Sequence, residues 1–259
     1  GFALRVASAD VARAEAELAA YDEDVAMRNA ARARRRRSRP PEVEGDAPLV
    51  TAVVVTLAMV AFYAWTGPGR ASGAWFAQGS ADAAAMRAGE LWRAVTALCL
   101  HADLAHLFAN ALFGTFFLAA LGRSLGPGLA LALYVLSGTG GNVVNAFLRS
   151  TDHVSIGAST AVFGAVGLLS GLGVVRRVQR GDRGRLALLP LAAGLGILAM
   201  VGSGGGRVDA FAHLFGLVVG TGLGLGTAFT IARPPGALSQ TASGAAAVLL
   251  LWACWQLAR

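Results

Sequence analysis

The sequence predicts an all-α protein that crosses a membrane several times. Hydrophobic residues make up 55% of its 259 residues, whereas charged residues make up only 14%. A soluble domain usually carries about 25% charged residues, so the composition excludes an ordinary soluble enzyme. It also excludes a disordered chain, which would be poor in apolar residues. The apolar residues are collected into long runs, as is typical of membrane-spanning helices.

Seven apolar runs are candidate spans, each close to the length of about 20 residues that a membrane-crossing helix needs. They cover residues 49–66, 102–121, 127–148, 155–175, 186–202, 209–231 and 243–258. The first run begins too far along the chain to be a cleaved signal peptide. The last is the shortest, which leaves a tilted or interfacial helix open.

The positive charge marks orientation rather than a nucleic-acid site. All 22 basic residues are Arg and the net charge is +7, but residues 1–47 hold nine Arg and nine acids. The excess therefore lies in residues 48–259, between the apolar runs, and not in one basic patch. We expect the lipid bilayer as a partner and no nucleic acid.

The distribution of Arg predicts which side of the membrane each loop faces. Arg34–Arg37 precede the first span, and the 176–185 loop carries five Arg. Because cytoplasmic loops are rich in Arg and Lys, both segments are placed inside. Five of the six acids after residue 47 then fall outside: Asp82, Glu90, Asp103, Asp152 and Asp209. The Arg- and Ala-rich usage favours the inner membrane of a bacterium.

We predict three parts of the chain. Residues 1–47 form a cytoplasmic region with a short amphipathic helix and an arginine-rich stretch that contacts anionic head groups. Residues 48–235 form the membrane core, and residues 236–259 form an additional C-terminal transmembrane helix. The oligomeric state is left open.

A few polar residues converge on one layer of the membrane. His106, Ser159 and His213 each lie roughly 4–5 residues into a span that runs inward from the outer face, about 6–8 Å below the surface. Asn110 lies one turn deeper than His106 on the same helix face. Polar groups inside a bilayer are expensive, so this convergence points to a functional site near the outer face.

Small residues predict close contact between the fourth and sixth spans. Such faces let helix backbones approach each other closely, which would bring Ser159 and His213 within hydrogen-bond reach. The residues are Gly157, Ala161, Gly164 and Ala165 on one span and Gly216, Gly220 and Gly224 on the other.

Three motifs together resemble the rhomboid intramembrane proteases. They are ELWRAVTALCLHADLAHLFAN, with its Trp-Arg pair and His-x3-Asn; GAST, similar to the family's GxSG; and AHLFGLVVG, similar to AHxxGxxxG. They occur in the family's order and on the corresponding helices, over roughly residues 49–231. The resemblance implies a six-helix rhomboid core, with the last span as a seventh helix.

The resemblance also implies the chemistry. Ser159 would be the nucleophile and His213 the general base and then general acid of a Ser–His dyad. His106, Asn110 and the backbone N–H of Ser159 would stabilise the oxyanion. Phe163 stands where the family usually has a Tyr that packs on the catalytic His. The substrates would be transmembrane segments of other proteins, cut near the outer face at small residues, and no cofactor is expected.

Several residues around this site have open roles. Trp92 and Arg93 are interpreted as an interfacial anchor, with Glu90 as a candidate ion partner of Arg93. His101 either positions the second span or faces the head groups, and His153 is expected to be solvated. Thr160 stands where the family mostly has Gly, which puts bulk either at a helix contact or beside the oxyanion pocket.

Three other functions fit the sequence less well. A zinc site from His101, His106 and His213 has neither an HExxH motif nor an acid at that depth. A transporter would place its polar groups at the midplane of the bilayer. A non-catalytic rhomboid-like protein that binds or remodels membrane clients would usually lack the Ser or the His.

Access of water and substrate suggests two moving parts. The glycine-rich loop at residues 202–209 is predicted to act as a lid over the site. The fifth span, with Gly194 and Gly196, is predicted to be a lateral gate.

Overall fold

The computed structural model describes residues 6–37, 42–68, 73–182, 184–202 and 209–259. The chain divides into two compact units, Gly1–Pro40 and Pro41–Arg259. In the first unit a 3₁₀ turn, Ser8–Asp10, leads into the 27-residue helix α1 (Val11–Arg37). Its exposed surface carries ion pairs one turn apart, Arg13–Glu17 and Arg28–Asp24. The arginine-rich stretch lies outside the residues whose side chains are described.

The second unit is built almost entirely of helices. They are α2 (Ala47–Thr66), α3 (Ala74–Gly79), α4 (Ala83–Arg87), α5 (Arg93–Thr96), α6 (Leu104–Leu125), α7 (Pro127–Leu148), α8 (Ser159–Gln179), α9 (Leu189–Gly202), α10 (Ala210–Thr230) and α11 (Ala237–Leu257). Single 3₁₀ turns occur at Ala97–Cys99 and Gly184–Leu186. Two short strands, β1 (Ala81–Asp82) and β2 (Val154–Ser155), pair antiparallel.

The predicted all-α polytopic fold is confirmed. Among the described residues, six helices are long and apolar enough to cross a membrane: α2, α6, α7, α8, α10 and α11. The last of them has 21 residues and is therefore longer than the run predicted at 243–258.

The fifth predicted span is shorter than expected. In place of 186–202 the chain forms α9, whose 14 residues cover about 21 Å at 1.5 Å per residue. The hydrocarbon layer is about 30 Å thick. The apolar run is not all helix, because Gly184–Leu186 form a 3₁₀ turn before α9 begins.

The core is centred on α8, the most buried of the long helices. It packs against α6, α7, α9 and α10. On one side Ser170 donates from Oγ to the carbonyl of Pro190 in α9, at 2.9 Å. The nucleophile candidate therefore lies at the start of a helix that four other helices surround.

The segment between α2 and α6 docks on the C-terminal end of α7. We call its described part, residues 73–103, loop one. Asn142 donates to the carbonyl of Ala94 at 2.9 Å, and Arg87 donates to the carbonyl of Ala146 at 3.0 Å. The pairing of β1 with β2 also ties loop one to the stretch that leads into α8.

The C-terminal helix α11 is joined to the rest of the unit at both ends. At its start, Gln240 donates to the carbonyl of Leu125 at 2.8 Å and accepts from the amide of Leu129 at 3.0 Å. At its end, Trp255 packs on Phe62 and Trp75, with ring centroids 5.2 and 5.5 Å away. α11 therefore braces the turn between α6 and α7 as well as loop one.

Candidate active site

Ser159 is the first residue of α8, and a glycine turn leads into it. The span predicted to start at residue 155 starts later, because Val154 and Ser155 form β2. Ser159 is thus nearer the helix end than predicted. Gly157 has φ +120°, in the region that favours glycine, and its N–H donates to the carbonyl of Ala97 at 2.9 Å.

His106 lies against this turn. A Cβ placed on Gly157 would be 2.6 Å from Cε1 and Nε2 of His106 and 3.6 Å from Oγ of Ser159. The imidazole edge and the serine hydroxyl therefore both face the position where a Cβ of residue 157 would lie. Only a glycine, which has no Cβ, leaves that space free.

The start of α6 sets the orientation of His106. Asp103 caps the helix by accepting from the His106 amide at 2.8 Å, and the amide of Ala102 donates to Nδ1 of His106 at 3.4 Å. Because Nδ1 accepts, a neutral ring carries its proton on Nε2, the nitrogen nearest Gly157. Asn110 is buried one turn deeper and donates to the carbonyl of His106 at 2.9 Å, as the i, i+4 spacing predicts.

His213 is buried in the first turn of α10 and is stacked on Phe163. The ring centroids are 4.5 Å apart and the ring planes differ by 21°. Phe163 lies one turn after Ser159 on α8, on the same helix face. The stack thus brings the imidazole to the face of α8 that carries the serine.

The predicted close contact between the fourth and sixth spans is present. Gly216, Gly220 and Gly224 of α10 lie directly against backbone carbonyls of α8, those of Thr160, Gly164 and Leu168. A Cβ on any of these glycines would collide with the carbonyl. The glycines are therefore required for the two helices to approach this closely.

Thr160 is placed at the helix contact, not beside the oxyanion pocket. It is 2% exposed, and its methyl group fills the space between Gly141 of α7 and Gly216 of α10. The extra bulk that replaces the family's Gly is used in packing three helices.

His101 is buried in loop one and does not face the head groups. It is 1% exposed, and its ring lies 5.3 Å from that of His106 in an edge-to-face arrangement. Burial, with the nearby His106 as a second cause, lowers the pKa of His101 from 6.5 to about 4.

Arg93 is turned into loop one rather than outward. Its guanidinium donates to Glu90 at 2.6 Å, the ion pair that was predicted, and to the carbonyls of Ala77 and Ser80 at 2.8 and 3.2 Å. Trp92 packs in the cluster that includes Trp255. Both residues stabilise the loop from within.

One group of residues near the site was not recognised in the sequence. His153 was expected to be solvated, yet its Nε2 lies 2.8 Å from Oδ2 of Asp209, and Asn145 donates to the same oxygen at 2.9 Å. The available signal was Asp209 itself, since an Asp just before an apolar run is typical of a helix N-cap.

The structure bears in different ways on the zinc alternative, the predicted lid and the predicted gate. No three His, Cys, Asp or Glu side chains among the described residues are grouped so as to hold a metal ion, so the zinc alternative gains nothing. The lid at 202–209 lies, except for its end residues, outside the described residues. In α9, Gly194 is a packing position, because a Cβ there would lie 2.8 Å from Oγ of Ser170.

Comparison with known proteins supports the resemblance over about half of the chain. The profile described as Rhomboid domain matches residues 88–229. A candidate rhomboid protease of Bacillus subtilis, YdcA, is 33% identical over 132 residues, 51% of this chain and 65% of that protein. Rhomboid-like protease 3 of Toxoplasma gondii is 34% identical over 146 residues, 56% of this chain and 55% of that protein.

A relative without activity also matches. Inactive rhomboid protein 1 of Drosophila melanogaster is 29% identical over 131 residues, 51% of this chain and 9% of that protein. The chain thus spans less than two thirds of the length of each of these three relatives. Similarity of this kind does not separate a protease from an inactive relative.

Proposed function

Because the chain belongs to the rhomboid family of integral membrane proteins, we propose that it is an intramembrane serine endopeptidase acting through a Ser159–His213 dyad. The observation that carries the proposal is the stack of His213 on Phe163, one turn from Ser159. It supports a base and a hydroxyl on the same face of α8. The first-turn position of both residues keeps the pair near one membrane surface.

In this proposal His213 takes the proton of the Ser159 hydroxyl as the oxygen attacks the scissile carbonyl. The attack forms a tetrahedral oxyanion, and His213 then gives the proton to the leaving amine. Water releases the acyl group in a second round, with the same imidazole as base. A histidine suits both steps because its ordinary pKa lies near neutrality.

We propose three donors that stabilise the oxyanion. Nε2–H of His106 lies on the side of Gly157, close to Ser159. Asn110 has a second amide N–H beyond the one bonded to the His106 carbonyl. The backbone N–H of Ser159 belongs to the first turn of α8, where N–H groups have no intrahelical acceptor. Such donors in a site of low dielectric stabilise developing charge strongly.

We further propose that the substrates are transmembrane segments of other proteins and that cutting takes place near the outer face. The family acts on membrane proteins within the bilayer, and the arginine-rich 176–185 loop supports a cytoplasmic location for the C-terminal end of α8. A bacterial inner membrane, with the N-terminus inside, fits this arrangement.

The same proposal assigns a role to each of the three parts of the chain. Residues 48–235 carry the catalytic core, residues 1–47 lie on the cytoplasmic side, and residues 236–259 support the core. The bonds of Gln240 to the α6–α7 turn support this role of α11.

The test is covalent labelling with a serine-directed fluorophosphonate in detergent. We expect the wild type to react and Ser159→Ala and His213→Ala to lose the reaction. Ser170→Ala is the matched control, because Ser170 is a buried serine of the same helix that donates only to backbone carbonyls. Equal labelling of all four proteins, or none of any, would contradict the protease and favour the non-catalytic alternative.

A further inference from the structure

Three polar side chains that the dyad does not use meet at the start of α10. Oδ2 of Asp209 accepts from Asn145 at 2.9 Å and lies 2.8 Å from Nε2 of His153. Oδ1 of the same carboxylate accepts from the amide of Ala212 at 3.1 Å, which caps the helix. We call Asn145, His153 and Asp209 the Asp209 cluster.

The members of the Asp209 cluster come from three parts of the fold. Asn145 is a buried residue of α7, His153 precedes β2, and Asp209 is the N-cap of α10. The side chains of His153 and Asp209 are only 18% and 20% exposed. A pair this sheltered is less screened by water and salt than a surface pair.

His153 is bonded on two sides. Its ring meets Asp209, while its carbonyl accepts from the amide of Ala83 in loop one at 3.0 Å. It is also followed directly by β2, which pairs with loop one, and then by the turn at Gly157 and Ser159. One residue thus links loop one, the approach to the serine and the start of α10.

The carboxylate is held in its charged form. Burial alone would raise the pKa of Asp209, but hydrogen bonds from the Ala212 amide and from His153 and Ser155 lower it overall. A second contact joins the same elements, since the guanidinium of Arg149 lies 4.5 Å from the ring centroid of Phe211. The first turn of α10 is therefore attached to the end of α7 in two ways.

The packing of α10 on α8 needs such an attachment. The contacts of Gly216, Gly220 and Gly224 repeat every four residues along both helices. A shift of α10 by one turn, about 5.4 Å, would preserve much of this packing but carry His213 away from Phe163. The glycines determine how closely α10 approaches α8. They do little to fix the position of α10 along the axis of α8, which we call its register.

We propose that the Asp209 cluster sets the register of α10 on α8 and so holds His213 opposite Ser159. His153 and Asp209 are then positioning residues that act through His213. The inference rests on the proposed dyad for its catalytic consequence, but the register itself is a property of the fold.

The carboxylate's two functions can be separated by substitution. Asp209→Asn leaves one side-chain oxygen to cap Ala212, because Asn is as good an N-cap as Asp, and removes the second acceptor. His153→Leu removes the ring nitrogen and leaves the cap untouched. Asp182→Asn is the matched control: Asp182 is also a carboxylate near a helix end paired with a basic side chain, Arg177 at 3.3 Å, but lies after α8 at its other end.

The first measurement is the rate of fluorophosphonate labelling below the melting temperature of every variant. We expect the maximal rate to fall at least tenfold in Asp209→Asn and in His153→Leu, with the half-saturating reagent concentration unchanged. The double variant should react no more slowly than the slower single variant, because both changes break one bond. Asp182→Asn should stay within twofold of the wild type.

The second measurement does not depend on activity. Hydrogen exchange of the amides at 213–217 should be faster in His153→Leu than in the wild type, while exchange in α2 is unchanged. If the wild type labels and both variants label at its rate, the positioning role is wrong and the dyad stands. If the wild type fails to label, the proposed function is wrong, and unchanged exchange at 213–217 would overturn the register inference separately.

Discussion

The imidazole of His213 lies almost parallel to the phenyl ring of Phe163, with 4.5 Å between the ring centroids. Nδ1 of His213 has no hydrogen-bond partner among the described residues. In a Ser–His–Asp triad a carboxylate holds that nitrogen and fixes the plane of the ring. We infer that here the aromatic stack fixes it, and we expect Phe163 to do this as well as a Tyr because the contact uses the ring and not a hydroxyl.

The stack predicts how substitutions of Phe163 behave. Phe163→Leu keeps most of the apolar volume but removes the ring, so we expect fluorophosphonate labelling to slow by about tenfold or more while the protein stays folded. Phe163→Tyr keeps the ring and should label within about threefold of the wild type. Labelling of Phe163→Leu at the wild-type rate would show that the stack does not orient His213.

The turn before the nucleophile predicts a sharp effect at Gly157. Gly157→Ala would place a Cβ 2.6 Å from the ring of His106, so we expect labelling to fall by about a hundredfold as His106 is displaced. Gly89→Ala is the matched control, because Gly89 has a similar φ of +114° but nothing within 4 Å of its Cβ position. Both variants carry backbone strain of about 1–3 kcal/mol. Equal loss of activity in the two would mean that strain, not the contact with His106, is responsible.

The glycine face of α10 predicts opposite effects for two neighbouring glycines. A Cβ on Gly220 would collide with the carbonyl of Gly164, whereas one on Gly222 meets nothing within 4 Å. We expect Gly220→Ala to lower the melting temperature in detergent by about 5 °C or more, from overpacking of about 1–3 kcal/mol. Gly222→Ala should be neutral or slightly stabilising, since Ala is the better helix former. Similar melting temperatures for both variants would argue against the close α8–α10 contact.

The buried His101 predicts a loss of stability in mild acid. Its pKa is about 4 in the folded protein against 6.5 ordinarily, so unfolding takes up a proton between these values. The contribution of the neutral His101 to the free energy of unfolding is therefore complete above about pH 6.5. As the pH falls towards 4, the free energy of unfolding decreases by up to about 3 kcal/mol. We expect His101→Leu to weaken the dependence of the melting temperature on pH in this window. An unchanged dependence would place the effect on other groups.

Much of the fold is readable from the sequence because membrane spans are local features. Hydropathy over about 20 residues identified the six described helices that are long enough to cross a membrane. The i, i+4 relation of His106 and Asn110 was equally readable, because helix geometry alone brings them together. The length of α9 could not be read from the sequence, because the apolar run at 186–202 does not show where a turn replaces the helix.

The start of α8 could not be placed from hydropathy either. Val154 and Ser155 carry no charge, like most of the helix that follows, so hydropathy does not separate them from it. They lie outside the helix because they pair with Ala81 and Asp82, more than seventy residues earlier. The role of His153 could not be predicted for the same reason. A histidine in a polar loop is expected to be solvated, and only the contact with Asp209, 56 residues later, makes it part of the packed structure.

The sequence by itself determined that this protein is a polytopic membrane protein. It also predicts how the loops are distributed across the membrane and which serine and histidines form the candidate site. These follow from composition, charge and short motifs, which are properties of contiguous residues. Only the tertiary structure decided that His213 stacks on Phe163, that Thr160 fills a helix contact and that Asp209 joins Asn145 and His153. Each of those contacts joins residues distant in the chain, so it depends on how the helices pack against one another.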